Sequence, residues 1–228
     1  MQLKGIIFDF DGLILDTETP DYIAWETVFR HYGAYLAFDE WAVGVGKKLE
    51  DFDILALLEA KVQKPLDRTQ VMKMHHEIAS QMIDKQPLQP GILDFICDAR
   101  SKGIKLAVAS SSDKKWVHGN LAKHNLTGYF DRIFTADDVS QAKPAPELYI
   151  KTLSALCLLP HEAIAIEDSP NGIRAAKAAT LYCVAIPNHV TRKMDLKQAD
   201  LILDTLENIS LEGLLQRIGV AKNTFANG

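Results

Sequence analysis

The sequence predicts a doubly wound α/β core with an inserted helical cap domain. Short apolar, β-branched runs recur along it, and helix-length segments separate the later runs. From about Asp16 to Asp84 that rhythm stops, and helical periodicity continues without strand-like runs. A chain of 228 residues that is 47% hydrophobic can bury the core such a fold needs.

Taken in order, Gly5 to Phe10 reads as the first buried strand. The stretch after it carries apolar residues at helical spacing, such as Ile23, Val28 and Phe29, then Ile54, Leu57 and Leu58. The way in lies near Leu13 to Thr17. The way out is Gln86-Pro87-Leu88-Gln89-Pro90-Gly91, where proline interrupts helix. These connections make a hinge and divide the chain into a core of residues 1–15 and 88–228 and a cap of residues 16–87. Further strands are expected at Ile104 to Ala109, Arg132 to Thr135, Ala163 to Ile166, Tyr182 to Ile186 and Leu201 to Leu203. Helices are expected at Gly91 to Lys102, Lys114 to His124, Pro146 to Leu158 and Asn171 to Ala179, giving right-handed βαβ crossovers. Ala221 to Gly228 reads as a frayed tail.

A formal charge of -5 offers no basic excess for a nucleic-acid backbone, so any phosphate must be captured locally. Cys97, Cys157 and Cys183 are odd in number and set among apolar residues, which suits buried thiols in a reducing compartment. No signal-peptide pattern or bilayer-length apolar run is present, and the expectation is a cytoplasmic monomer without membrane partners. His75, His76, Trp25, Trp41 and Trp116 read as surface or packing residues.

Ligands of doubly wound sheets sit beyond the carboxyl ends of the strands, so the polar residues after each run are the candidates for chemistry. After the first strand comes Asp9-Phe10-Asp11-Gly12, where alternation lets both aspartates face one side. Crowded carboxylates favour a cation or a retained proton, although an acidic loop capping a strand would look the same. After the second, Ser110-Ser111-Ser112 offers hydroxyls and backbone N–H groups before a helix, an arrangement suited to an anion or simply to helix capping. After the third, Lys143 precedes two prolines, as a directed cation or as an exposed turn lysine. After the fourth, Glu167-Asp168 supplies hard oxygen donors or an acidic first turn.

Jointly, Asp9-Phe10-Asp11-Gly12, Ser110, Lys143-Pro144 and Glu167-Asp168 resemble the four motifs of the haloacid dehalogenase-like hydrolases, and the likeness spans nearly the entire chain. The helical insertion is similar to the small cap of the branch that holds β-phosphoglucomutase and sugar-phosphate phosphatases. The resemblance implies that Asp9 attacks phosphorus to form an aspartyl phosphate and that Asp11 serves as general acid and then base. It implies Mg2+ on the Asp9 carboxylate, the Asp11 backbone carbonyl and Asp168, with Glu167 as ligand or partner through water. Gly12, Ser110, Ser111, Ser112 and Lys143 would surround the transferring phosphoryl group. Asp11 argues against dehalogenation, which has no alkoxide to protonate. The glycine-containing loop at Val43 to Lys48 brings Lys47 forward as a cap-side contact to a small phosphorylated metabolite, with a solvated surface charge as the plain alternative.

The reading is a phosphatase for a small monoester, a sugar phosphate above all. A β-phosphoglucomutase-like mutase is the alternative. It is disfavoured because Asp21 falls where that enzyme carries a histidine and because no arginine lies near Leu49. A phosphate-binding regulatory module is a third reading, though a mere binder would need neither Asp9 nor Asp11.

Overall fold

A computed structural model describes residues 3–45 and 52–226. From the N-terminus the elements run β1 (Gly5–Phe8), α1 (Glu18–His31), α2 (Phe38–Ala42), α3 (Ile54–Val62), α4 (Arg68–Ile83), α5 (Ile92–Ser101), β2 (Lys105–Ala109) and α6 (Lys114–Lys123). Then follow β3 (Arg132–Phe134), α7 (Glu147–Leu156), β4 (Ala163–Glu167), α8 (Pro170–Ala178), β5 (Tyr182–Ala185), β6 (Leu201–Ile202) and α9 (Leu211–Ala226). The chain forms two compact units, one of Met1–Leu15 with Leu88–Gly228 and the other of Asp16–Pro87.

The first unit is a six-stranded sheet in the order β3-β2-β1-β4-β5-β6, and every neighbouring pair is parallel. This is the predicted α/β class. The strands read as unbroken apolar runs because helices cover both faces of the sheet. On one face Ile7, Ala107, Ala165 and Cys183 pack with Leu148 and Tyr149 of α7 and Ile173 of α8. On the other, Phe8 meets Phe95 of α5 edge-on at 6.3 Å and Phe130 at 6.0 Å. Full burial of a side chain such as Phe8 contributes about 2–3 kcal/mol. Strand order reverses about β1, which lies between β2 and β4, so the crevice for a ligand opens at the carboxyl ends of these three strands.

Two expectations are corrected. The stretch read as a frayed tail continues α9 to Ala226, since Val220 to Ala226 contains neither glycine nor proline to stop it. Cys97 and Cys157 are exposed, and only Cys183 is buried. Cys97 lies off the α5 stripe of Ile92, Phe95, Ile96 and Ala99, and Cys157 is the left-handed residue (φ 54°) that ends α7. No helix among the described residues is long and apolar enough to cross a membrane.

Within the second unit, α1 packs on α4. Val71, His75, Ala79 and Ile83 recur every four residues and bury one face of α4, while Ala24, Trp25, Val28 and Phe29 bury one face of α1. Asp53 and Asp67 cap α3 and α4 by accepting from Ala56 N (2.9 Å) and Gln70 N (3.1 Å). His75 is a buried member of a polar cluster rather than a surface residue. It stacks on Trp25 at 4.1 Å, and its Nε2 lies 3.0 Å from Asp21 Oδ1, while Trp41 Nε1 donates to Asp21 Oδ2 at 2.9 Å. His76 is exposed.

Candidate active site

Asp9 follows β1 directly, its N–H still bonded to the Ile166 carbonyl of β4 at 2.9 Å, so its side chain leaves the sheet at the carboxyl edge. There it meets the Lys143 ammonium, which also donates to Glu167 Oε1 at 2.6 Å. The Tyr149 hydroxyl, from α7, donates to the same Glu167 oxygen at 2.5 Å. Asp9, Lys143, Glu167 and Asp168 are all buried, and one carboxylate oxygen from each of the three acids lies within 4.8 Å of the others. The loop that carries Lys143 is tied at its base, because the Glu147 carboxylate accepts from Ser140 N at 2.9 Å and Gln141 N at 2.8 Å.

Burial pushes the Asp9 carboxyl well above the usual range. Lys143 opposes that rise, while the charges of Glu167 and Asp11 add to it. Burial alone would depress the Lys143 ammonium, but Asp9 and Glu167 more than reverse this and hold it above its ordinary value. Tyr149 is likewise raised, by burial first and then by Glu167 and Asp9. One ammonium thus pairs with two of three clustered carboxylates in a buried site. A hard divalent cation takes such oxygen donors and would balance the surplus charge, so these residues fit Mg2+.

Asp11 belongs to a second group. Its Oδ2 accepts from the Ser112 hydroxyl at 2.7 Å and the Ser110 hydroxyl at 3.3 Å, and its Oδ1 accepts from Trp116 Nε1 at 2.8 Å. Its carboxylate is not part of the three-acid group. Ser112 N donates to Ser110 Oγ at 3.0 Å, and among the described residues the buried Ser111 hydroxyl makes no hydrogen bond. Gly12 has φ +81° and joins the two groups. A Cβ there would overlap Asp168 and Asn188, while its carbonyl accepts from Gln89 Nε2 (3.1 Å) and Asn188 Nδ2 (3.3 Å).

The structure therefore gathers Asp9, Lys143, Glu167 and Asp168 into one cluster and Asp11, Ser110 and Ser112 into another. Lys47 lies outside the described residues. Four contributors escaped the sequence reading. Asn188, at the end of β5, donates from Nδ2 to Asp168 Oδ2 at 2.9 Å. Its position just past a fifth strand was the available signal. Gly172 stands where any Cβ would overlap the Glu167 carboxylate. Tyr149 is hidden within an apolar helical run. Trp116, taken for a packing residue, is the third residue of α6 after the N-cap Asp113, and helical side chains lean toward the N-terminus. That direction carries its indole to Asp11.

Residues 6–186 match the family profile described as haloacid dehalogenase-like hydrolase. The chain is 37% identical over 216 residues to "Putative phosphatase YhcW" of Bacillus subtilis (strain 168), covering 95% of this chain and 98% of that one. It is 30% identical to the phosphorylated carbohydrates phosphatase of Thermotoga maritima, over 78% of this chain and 82% of the relative. Among solved structures, CbbY from Rhodobacter sphaeroides in complex with phosphate superposes with a TM-score of 0.72 at 30% identity, covering 93% of this chain and 99% of that one.

Proposed function

Because the chain belongs to the haloacid dehalogenase-like hydrolase family, we propose that it is a magnesium-dependent phosphatase that hydrolyses a small phosphate monoester, a sugar phosphate in the first instance, through an aspartyl phosphate. The observation that carries this reading is the meeting of Asp9, Glu167, Asp168 and Lys143 at the carboxyl ends of β1 and β4, with Asp11 two residues beyond Asp9.

In this reading an Asp9 carboxylate oxygen attacks phosphorus in line and the ester P–O bond breaks. Asp11 gives its proton to the departing alkoxide. Water then attacks the aspartyl phosphate, Asp11 takes a proton from it, and inorganic phosphate leaves with the Asp9 carboxylate restored. Lys143, pinned between Asp9 and Glu167, directs a fixed positive charge at the oxygens of the transferring group. Ser110, Ser111 and Ser112 would offer hydroxyl and N–H donors to the same group, whereas Gly12 makes room for Asp168 and Asn188 rather than for that group. Asp9, the Asp11 carbonyl and Asp168, with Glu167 beside them, would hold Mg2+, whose charge lowers the repulsion between carboxylate and phosphate.

The preference for a sugar phosphate is supported by the name of the Thermotoga maritima relative, which is a phosphatase of phosphorylated carbohydrates. The helical unit Asp16–Pro87 is assigned the role of a cap that selects the substrate. The test is phosphate release from a panel of sugar phosphates with and without Mg2+, run beside Asp9→Asn. Full activity of that variant excludes the nucleophile. Conversion of a substrate to its isomer without phosphate release would mark a mutase instead.

A further inference from the structure

We propose that Trp116 is a positioning residue for Asp11, fixing the plane of its carboxylate through both proton transfers. This rests on the reading of Asp11 as general acid and base. The Trp116 indole donates to Oδ1 at 2.8 Å and the Ser112 hydroxyl to Oδ2 at 2.7 Å, so each oxygen is held from a different point of the segment that follows β2. A carboxylate torsion is otherwise broad and gives little orientation of its own.

The two donors differ in kind. An indole N–H only donates, whereas a hydroxyl can donate or accept. Oδ1 therefore keeps a lone pair toward Trp116 whether or not Asp11 carries a proton. The Trp116 contact therefore survives both proton transfers, while the Ser110 and Ser112 hydroxyls beside Oδ2 can turn to follow them.

Trp116 is itself held in place. Its backbone N–H donates to the Asp113 cap at 2.8 Å, its carbonyl accepts from Asn120 Nδ2 at 3.0 Å, and the first residue of α6 donates from Lys114 N to Asp137 Oδ2 at 2.6 Å. The first turn of α6 is thus fixed at several points, and the indole projects from a rigid base. The cost of misplacing a catalytic group by a small rotation falls on steps that need its proton and spares those that do not.

The experiment compares kcat/KM for fructose 1-phosphate, whose alkoxide needs a proton, with that for p-nitrophenyl phosphate, whose phenolate leaves without one. Trp116→Phe should lower the first about tenfold and leave the second within about twofold, a fraction of the effect expected from removing the acid altogether. Site-specific replacement of Trp116 by benzothienylalanine, which keeps the bicyclic shape and lacks the N–H, should do the same if Phe disturbs folding. Equal losses on both substrates, or none on either, overturn the assignment. Asp11→Asn run in parallel separates the two claims. If it is selective for fructose 1-phosphate and the Trp116 variants are not, the positioning role falls and the acid role stands. If it is not selective, both fall. The chain has three tryptophans, so a 15N correlation spectrum carries three indole signals. Asp11→Asn should shift the Trp116 signal and leave those of Trp25 and Trp41 in place, and an unmoved Trp116 signal also overturns the proposal.

Discussion

Asn188, just past the carboxyl end of β5, holds Asp168, just past the carboxyl end of β4, through a 2.9 Å hydrogen bond from its carboxamide nitrogen. The amide cannot turn over, because its oxygen already accepts from Val190 N at 2.8 Å and Thr191 N at 2.9 Å. The nitrogen is thereby directed at Asp168 and at the Gly12 carbonyl.

Replacing Asn188 by Asp keeps the oxygen that Val190 and Thr191 need and sets a second carboxylate oxygen against Asp168. We expect Asn188→Asp to cost about 2–3 kcal/mol in the metal-free protein, from a lost donor and a new like charge in a buried place. Urea unfolding measures this. A midpoint unchanged from wild type would remove Asn188 from the role described.

Lys143 is the ammonium that pairs with both Asp9 and Glu167 in this buried site. Lys143→Met should lower kcat by about 10²- to 10³-fold. It should also destabilise the metal-free protein by about 3–5 kcal/mol, since it strands buried carboxylates. Added Mg2+ should therefore raise the melting temperature of the variant more than that of wild type. Equal shifts would mean that ammonium and cation do not share the same carboxylates.

Gly172 lies in the first turn of α8, directly over Glu167. A Cβ there overlaps the Glu167 carboxylate, which is itself held by Lys143 and Tyr149 and cannot move aside without breaking those bonds. Gly172→Ala should cost about 1–3 kcal/mol despite its favourable helix propensity. Gly219, where an added Cβ meets nothing beyond its own helix within 4 Å among the described residues, provides the control, and Gly219→Ala should be neutral or stabilising. Thermal melts of the two variants decide the matter.

Hydrogen bonds from Ser140 N, then Gln141 N, hold the Glu147 carboxyl below the usual glutamate range. A group depressed in the folded state stabilises it above the unfolded pKa, and that contribution is lost as pH falls through the folded value. Wild type should therefore melt above Glu147→Gln at pH 7, and the two should converge as pH falls through the depressed folded value. A gap that persists in acid would trace the effect to packing instead.

The centre of the sheet was readable because β1 and β4 are fully buried, with helices over both faces. Runs such as Gly5-Ile6-Ile7-Phe8 and Ala163-Ile164-Ala165-Ile166 have few other ways to satisfy their apolar content. Asp9, Ser110 and Glu167 were visible for a related reason. They come at the ends of strand-like runs, where a polar residue faces the carboxyl edge of the sheet, whereas Lys143 lies nine residues past β3 and stood out as a lysine before two prolines. Asn188 obeys the same rule after β5 but carries no charge to draw notice. Trp116 and Tyr149 touch the site from helices, where their apolar rings match the packing stripe and only the direction of a single N–H or O–H reveals their role. Exposure of Cys97 could be read only after the phase of α5 was known.

Leu15 and Leu88 sit opposite each other as an isolated antiparallel bridge, and Gln89 N donates to the Ile14 carbonyl at 3.0 Å beside them. Both chain crossings into Asp16–Pro87 therefore start from neighbouring points on the α/β unit. A segment attached in this way has the geometry of a cassette, since its length and content leave the strand order unchanged. With the proposed cap role for that segment, selection could revise what such an enzyme accepts without renegotiating how it reacts.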